Sequence, residues 1–183
     1  MILTKEKLIP LLPYIGIPVI GTAFLLLYAS QTDLFIILLC ELIIIFGYAA
    51  AVFDIKTKKI PNKLVLAMFA AWVLAMMPKL FLDIDTATVM LWDAVLGFVV
   101  CGGLFLLVYI ISRKGLGGGD VKFMAVAGLY IGFAGALSAM LYGTVLAGLV
   151  GLVLMLFKKI GRKDTIPLAP FLYIGILITI FYR

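Results

Sequence analysis

Long apolar runs separated by short polar segments fill almost the whole chain of 183 residues. An α-helix needs about 20 mostly apolar residues to cross the hydrocarbon core of a membrane. The runs predict seven spans, which are Leu8–Tyr28, Leu34–Phe53, Asn62–Met77, Ala87–Ile111, Val121–Ile131, Ala136–Phe157 and Ile166–Tyr182. With 66% hydrophobic residues, the composition supports an all-α, polytopic transmembrane helix bundle.

The apolar stretch at 121–157 is too long for one span. Its sequence IGFAG at 131–135 is the natural break, because glycines interrupt helices. The span before this break is short. Small residues recur at helical spacing on both sides of the break, and they predict close packing between helices rather than dimerisation.

No polar stretch is long enough to form a second domain, so residues 1–183 are predicted to form a single membrane domain. Two lysines precede the first apolar run, as in a secretory signal peptide. Its three prolines and the absence of a good small-residue cleavage site favour a retained anchor instead. Residues 1–33 would then add an N-terminal span to a six-span core at 34–183.

The basic residues are distributed very unevenly between the two predicted sides of the membrane. Of the 15 lysines and arginines, only Lys79 and Arg183 fall on one side. Because basic residues accumulate in cytoplasmic loops, we expect a protein of the inner (cytoplasmic) membrane with its N-terminus in the cytoplasm and its C-terminus outside. Membrane lipid is an expected partner, and the basic loops would attract anionic lipid. No nucleic-acid-binding motif is present, so we expect no nucleic-acid partner.

Several kinds of chemistry are excluded by composition. The chain has no histidine, which removes Ser-His and Cys-His catalysis and histidine-bound metals. Its two cysteines, Cys40 and Cys101, lie far apart inside apolar runs and form no CxxC pair. We therefore expect neither a metal nor a cofactor.

Two aspartates lie at the predicted cytoplasmic edge of different spans. Asp54 ends the second span, and Asp120 begins the fifth span after three glycines. Two carboxylates that face each other can share one proton, so that one activates water while the other protonates a carbonyl oxygen. This pattern predicts an acid/base pair that hydrolyses peptide bonds, with the position of the proton left open. Judged singly, Asp120 is equally well explained as a helix cap and Asp54 as an acid beside lysines.

Two further acids are expected to have structural roles. Glu41 and Asp93 lie inside spans, and we expect them to pair with each other or with polar groups that fix the packing. Asp33, Asp83 and Asp85 fall in outer loops, where they are most simply solvated.

Three segments of the chain carry a family resemblance. They are DIKTKKIPN at 54–62, GGGDVK at 117–122, whose first four residues match the pattern G-x-G-D, and IPLAPFLYIG at 166–175. In their order and approximate spacing they resemble the type IV prepilin peptidases and preflagellin peptidases, which are GxGD membrane aspartic proteases. The resemblance implies that Asp54 and Asp120 are catalytic. Further substrate-binding or loop-shaping positions are Gly117, Gly118, Gly119, Lys122, Pro61, Asn62, Pro167 and Pro170.

The resemblance also implies a substrate class. Such enzymes cut short basic leaders from pilin, pseudopilin or flagellin-like precursors at the cytoplasmic membrane face. The precursor would be the protein partner, and a homodimer stays open. Many bacterial members carry a cysteine-rich insert with CxxC pairs and also N-methylate the new terminus. This chain resembles the compact form without that insert, so methylation is not expected.

Other interpretations of the sequence agree less well with its motifs and with the positions of its acidic residues. Presenilin-like proteases share GxGD, but their Pro-Ala-Leu segment is here Pro167-Leu168-Ala169. A proton-coupled transporter would spread its acids over several membrane depths. A Mg-dependent lipid-linked phosphoglycosyl transferase would need more carboxylates at its site. A purely structural membrane subunit is a further alternative.

Overall fold

The structure is a computed structural model that describes residues 22, 33–112, 115–159, 161 and 166–182. In these parts of the chain the regular elements are helices, and no strand occurs. The helices are α1 (Leu34–Thr57), α2 (Asn62–Leu82), α3 (Ile84–Ile111), α4 (Gly118–Leu156) and α5 (Ala169–Phe181). The all-α prediction is confirmed for this part of the chain, and the predicted span Leu8–Tyr28 lies outside it.

The helices have the length and surface of membrane-spanning segments. Helices α1 to α4 are each long and apolar enough to cross a membrane, whereas α5 is an apolar helix of 13 residues. Large apolar side chains such as Leu66, Trp92 and Leu152 are exposed on the outside of the bundle. A soluble protein rarely exposes so many large apolar groups. Together these features indicate a multi-pass membrane protein.

Acidic caps and one lysine hold together one end of the bundle, which we call the acidic end (Asp33 and Asp83). Asp33 Oδ1 accepts the Phe35 N–H at 3.1 Å, and Asp83 Oδ1 accepts the Thr86 N–H at 3.3 Å. Lys79 Nζ lies 3.2 Å from Asp33 Oδ2 and 3.3 Å from Asp83 Oδ2. The Phe35 N–H and then Lys79 hold the pKa of Asp33 below its usual value. Hydrogen bonds from Thr86 likewise hold the pKa of Asp83 below its usual value.

Helix α4 is interrupted at Gly132. This glycine has φ 70° and ψ −179°, which is not helical, and the break falls within the predicted segment 131–135. Asp93 Oδ1 accepts the Phe133 N–H at 3.1 Å and so caps the second half of α4. A Cβ at Gly132 would collide with the Asp93 carboxylate. The structural role expected for Asp93 is therefore confirmed, and its hydrogen-bond donor here is a backbone amide.

The two halves of α4 run in opposite directions. The first half is antiparallel to α3, since Ala125 lies against Gly102 and Gly128 against Gly97. Three glycines of the second half follow α5 and its preceding segment in reverse order: Gly135 lies near Thr179, Gly143 near Leu172 and Gly151 near Ile166. Helix α4 is thus a helical hairpin that returns to the end of the bundle at which it began. Its halves correspond to the predicted fifth and sixth spans.

The first half of α4 lies at the centre of the bundle. Residues 123–132 are all buried, and this segment is covered by the other helices. Tyr130 donates its hydroxyl hydrogen to the Met68 carbonyl of α2 at 2.6 Å. The end of α1 and the starts of α2, α4 and α5 meet at the end of the bundle opposite Asp33 and Asp83. We call it the basic end, because Lys56, Lys58 and Lys59 are exposed there.

Candidate active site

Asp54 lies in the last turn of α1, and its side chain is held by the start of α5. Only 5% of the residue is exposed. Its Oδ2 accepts the backbone N–H of Ala169 at 2.9 Å. The first amides of a helix have no partner within the helix and carry partial positive charge, so they suit a carboxylate. This hydrogen bond joins α1 to α5 across a long separation in sequence.

Asp120 lies in the first turn of α4 and is 7% exposed. Its backbone N–H donates to the Gly117 carbonyl at 3.1 Å. Its Oδ1 is buried and has no hydrogen-bond partner among the described residues. Its Oδ2 lies so close to Gly117 that a Cβ there would be 2.7 Å away. The absence of a side chain at Gly117 therefore allows the carboxylate to take this position.

Both carboxylates line the same pocket, which has a volume of about 370 Å³. The pocket is completed by Lys58, Gly115, Leu116, Gly117, Ile166, Pro167 and Leu168. Chemically, two such carboxylates can serve as acid and base towards one water molecule.

Four of the other predicted positions shape the helix starts around this pocket. Gly119 packs closely on Ile60, whereas Gly118 is exposed. Pro61 directly precedes α2, and Pro170 lies in the first turn of α5, where a missing N–H costs little.

Lys122 and Asn62 lie away from the carboxylates. Lys122 Nζ donates to Asn62 Oδ1 at 3.0 Å, which links α4 to α2. Both side chains line a larger apolar cavity of about 730 Å³ between α2, α3 and α4. The structure therefore groups Gly117 and Pro167 with the aspartate pair but separates Lys122 and Asn62 from it.

Two features of the pocket were not predicted. The Ala169 amide was missed, although Pro170 suggests a helix start and hence free amides nearby. From the sequence, Lys58 is predicted only to be one of the basic loop residues. It enters the pocket because it ends α1 in a left-handed conformation with φ 52°, and no sequence pattern predicts that for lysine.

The donor groups needed for a bound metal are sparse. In the described ranges, no three or more Asp, Glu or Cys side chains cluster in a way that could hold a metal ion. The ionisable residues that line the pocket, within the described ranges, are Asp54, Lys58 and Asp120.

These features define a multi-pass helical membrane protein with two buried carboxylates in one pocket. Residues 36–152 match the type IV leader peptidase family, and the chain belongs to that family. Both aspartates lie within the matched range, whereas Ala169 lies beyond it.

Curated relatives agree with this assignment. The prepilin leader peptidase/N-methyltransferase of Bacillus subtilis (strain 168) is 30% identical over 133 residues, covering 72% of this chain and 50% of that protein. The protein of the same name in Legionella pneumophila is 29% identical over 164 residues, covering 88% of this chain and 56% of that protein. That of Stutzerimonas stutzeri is 27% identical over 128 residues, covering 69% and 43%. The chain spans about half the length of the curated relatives it matches. No solved structure gives a significant match.

Proposed function

We propose that the chain is a membrane-embedded aspartic endopeptidase that removes the leader from type IV prepilin-like precursors. The observation that carries this proposal is that Asp54 and Asp120, both buried and on different helices, line one pocket. The substrate class follows from family membership and from relatives named prepilin leader peptidases. The precursor is accordingly the expected protein partner.

The mechanism uses the two carboxylates and one water molecule. One carboxylate takes a proton from water, and the water oxygen attacks the scissile carbonyl carbon. The other carboxyl group protonates the carbonyl oxygen, so that a neutral tetrahedral intermediate forms. Proton transfer to the amide nitrogen then allows the C–N bond to break. Neither a cofactor nor a metal takes part.

The residues around the pair would orient the precursor. Exposed Gly118 leaves the backbone at the start of α4 accessible to an extended substrate segment. Pro167 lines the pocket, while Pro61 and Pro170 set the starts of α2 and α5. In this proposal, Lys122 and Asn62 support the helix packing beside the site through their mutual hydrogen bond.

The proposed orientation places the basic end in the cytoplasm. Basic residues accumulate on that side of inner-membrane proteins, so cleavage would occur at the cytoplasmic face with the N-terminus in the cytoplasm and the C-terminus outside. In this proposal the described helices make six crossings, with α4 counted as two, and the predicted span Leu8–Tyr28 makes the seventh. We propose a single membrane domain at 1–183, surrounded by lipid.

The proposal is limited to the peptidase activity. The names of the relatives also include an N-methyltransferase. In this chain the residues between α1 and α2 are few and contain no cysteine pair, unlike the insert expected of methylating members. The N-methyltransferase part of those names is not carried over to this chain.

Co-expression with a prepilin-like precursor from the same genome tests this function. Mass spectrometry should find a shortened precursor with the wild-type chain, and EDTA should not prevent its formation in membranes. Asp120→Asn should leave the precursor uncut, whereas Asp85→Asn, which changes an exposed acid far from the pocket, should not. Cleavage that disappears with EDTA, or that survives in Asp120→Asn, would rule the mechanism out.

A further inference from the structure

The two carboxylates of the pocket have unequal surroundings. Asp54 Oδ2 accepts a hydrogen bond from the Ala169 amide at the start of α5. Asp120 also lies at a helix start, with the amides of Gly117 and Asp120 beside its carboxyl group, but its Oδ1 is buried and receives no hydrogen bond from the described residues. A buried oxygen without a donor stabilises negative charge poorly, while an amide at a helix N-terminus stabilises it well. The surroundings thus favour negative charge on Asp54.

Lys58 adds to this difference. It ends α1 with φ 52°, and its backbone N–H donates to the Asp54 carbonyl at 2.8 Å. This left-handed turn brings Lys58 into the lining of the pocket that holds both aspartates. Lys58 is thus the cationic residue, among the described residues, in the lining that it shares with Asp54. Among the described residues, Asp54, Lys58 and Asp120 are the ionisable side chains that line the pocket.

We propose that Lys58 is a positioning residue that keeps Asp54 ionised, so that Asp54 activates water and Asp120 carries the shared proton. This inference rests on the proposed peptidase function and assigns each carboxylate its task. A lysine that stabilised the Asp54 and Asp120 carboxylates equally would not distinguish between them. The hydrogen bond from the Ala169 amide to Asp54 Oδ2 and the unpartnered Oδ1 of Asp120 both favour negative charge on Asp54.

The assigned steps balance. Asp54 takes a proton from water as the water oxygen bonds to the carbonyl carbon, and Asp120 gives its proton to the carbonyl oxygen. Asp54 then gives its proton to the amide nitrogen, the C–N bond breaks, and Asp120 regains a proton from a hydroxyl of the intermediate. Both side chains thereby return to their starting states.

The test is the pH dependence of precursor cleavage by purified full-length protein. Lys58→Asn removes the charge, and asparagine tolerates left-handed backbone. The acidic limb of the rate profile should move to higher pH by about one unit, because an opposite charge nearby favours ionisation. The basic limb should move less, and KM should change little. Lys58→Arg should restore the wild-type profile.

A matched control separates charge from backbone effects. Lys158 is also left-handed, with φ 54°, but it does not line the pocket. Lys158→Asn should keep the wild-type profile. If Lys58→Asn leaves both limbs of the pH–rate profile unchanged, or moves the basic limb more than the acidic limb, the assignment is wrong. If Lys58→Asn does not fold, the comparison is made with Lys58→Gln, and the same criteria apply.

The failure of this inference differs from the failure of the proposed function. Suppose that Asp54→Asn and Asp120→Asn both abolish cleavage, but Lys58→Asn leaves the pH profile unchanged. That result overturns only the role of Lys58. Cleavage that survives the loss of either aspartate overturns the peptidase mechanism itself.

Discussion

Gly117 leaves the space in which the Asp120 carboxylate of α4 lies. A methyl group at this position would be 2.7 Å from Asp120 Oδ2, which is shorter than any ordinary contact. At Gly118, one residue further on, a methyl group would first meet Tyr109 at 4.0 Å. These two adjacent glycines therefore differ sharply in how closely they confine the Asp120 side chain.

This contrast gives a prediction for the two glycines. Gly117→Ala should push the Asp120 carboxylate aside and lower kcat by about 10²-fold, because a displacement of about 1 Å has effects of that size. Gly118→Ala should lower kcat much less. Cleavage rates at saturating precursor are the measurement. Equal losses in the two variants would show that the close contact with Asp120 does not control the rate.

At the scale of the helices, the break in α4 is what allows the hairpin. Gly132 has a φ of 70°, and Asp93 caps the helix that follows by accepting the Phe133 N–H. The first half can then end against α3 while the second half returns along α5. The position of Asp120 at the start of α4 depends on this packing.

Removing the cap or the glycine should therefore destabilise the protein. Asp93→Ala should cost about 0.5–2 kcal/mol for the lost cap. Gly132→Ala should cost about 1–3 kcal/mol for backbone strain, and more because of the collision with Asp93. Thermal unfolding in detergent is the measurement. Gly148→Ala is the control, because a Cβ there meets nothing within 4 Å, and its melting temperature should not fall. Similar melting temperatures in all three variants would contradict this account of the break.

At the scale of the whole molecule, the separation of charges predicts the orientation. Lys59 is exposed at the basic end, and Asp85 is exposed near the acidic end. In a background lacking Cys40 and Cys101, we expect Asp85→Cys to react with a membrane-impermeant maleimide in intact spheroplasts. Lys59→Cys should react only after the membrane is opened. The opposite labelling pattern would place the aspartate pair on the outer face and overturn the proposed site of cleavage.

Much of the architecture follows from the length of the apolar runs. The start of α2 at Asn62 and the end of α3 at Ile111 agree with the predicted spans. Helix α2 runs past its predicted end at Met77, because Pro78 is accommodated in the helix, which continues to Leu82. A proline followed by a lysine favours a helix end, yet these two residues alone do not decide where a hydrogen-bonded helix stops.

The candidate site was predictable only in part. Sequence order and depth brought Asp54 and Asp120 together, and the structure places them in one pocket. The contributions of Ala169 and Lys58 depend on backbone geometry, namely a free helix-start amide and a left-handed turn. Lys122 was grouped with the site because of its sequence neighbours, yet on a helix the residue two positions after Asp120 points to another side.

The central claim is that Asp54 and Asp120 form one catalytic unit, and a double-variant cycle tests it most directly. Single-turnover cleavage would be compared for wild type, Asp54→Asn, Asp120→Asn and the double variant, each verified as folded. We expect each single change to slow cleavage by about 10²–10⁴-fold. The double variant should be no slower than the slower single variant, because residues that act as a unit are not additive. Near-wild-type cleavage in either single variant, or losses that multiply in the double variant, would contradict the account.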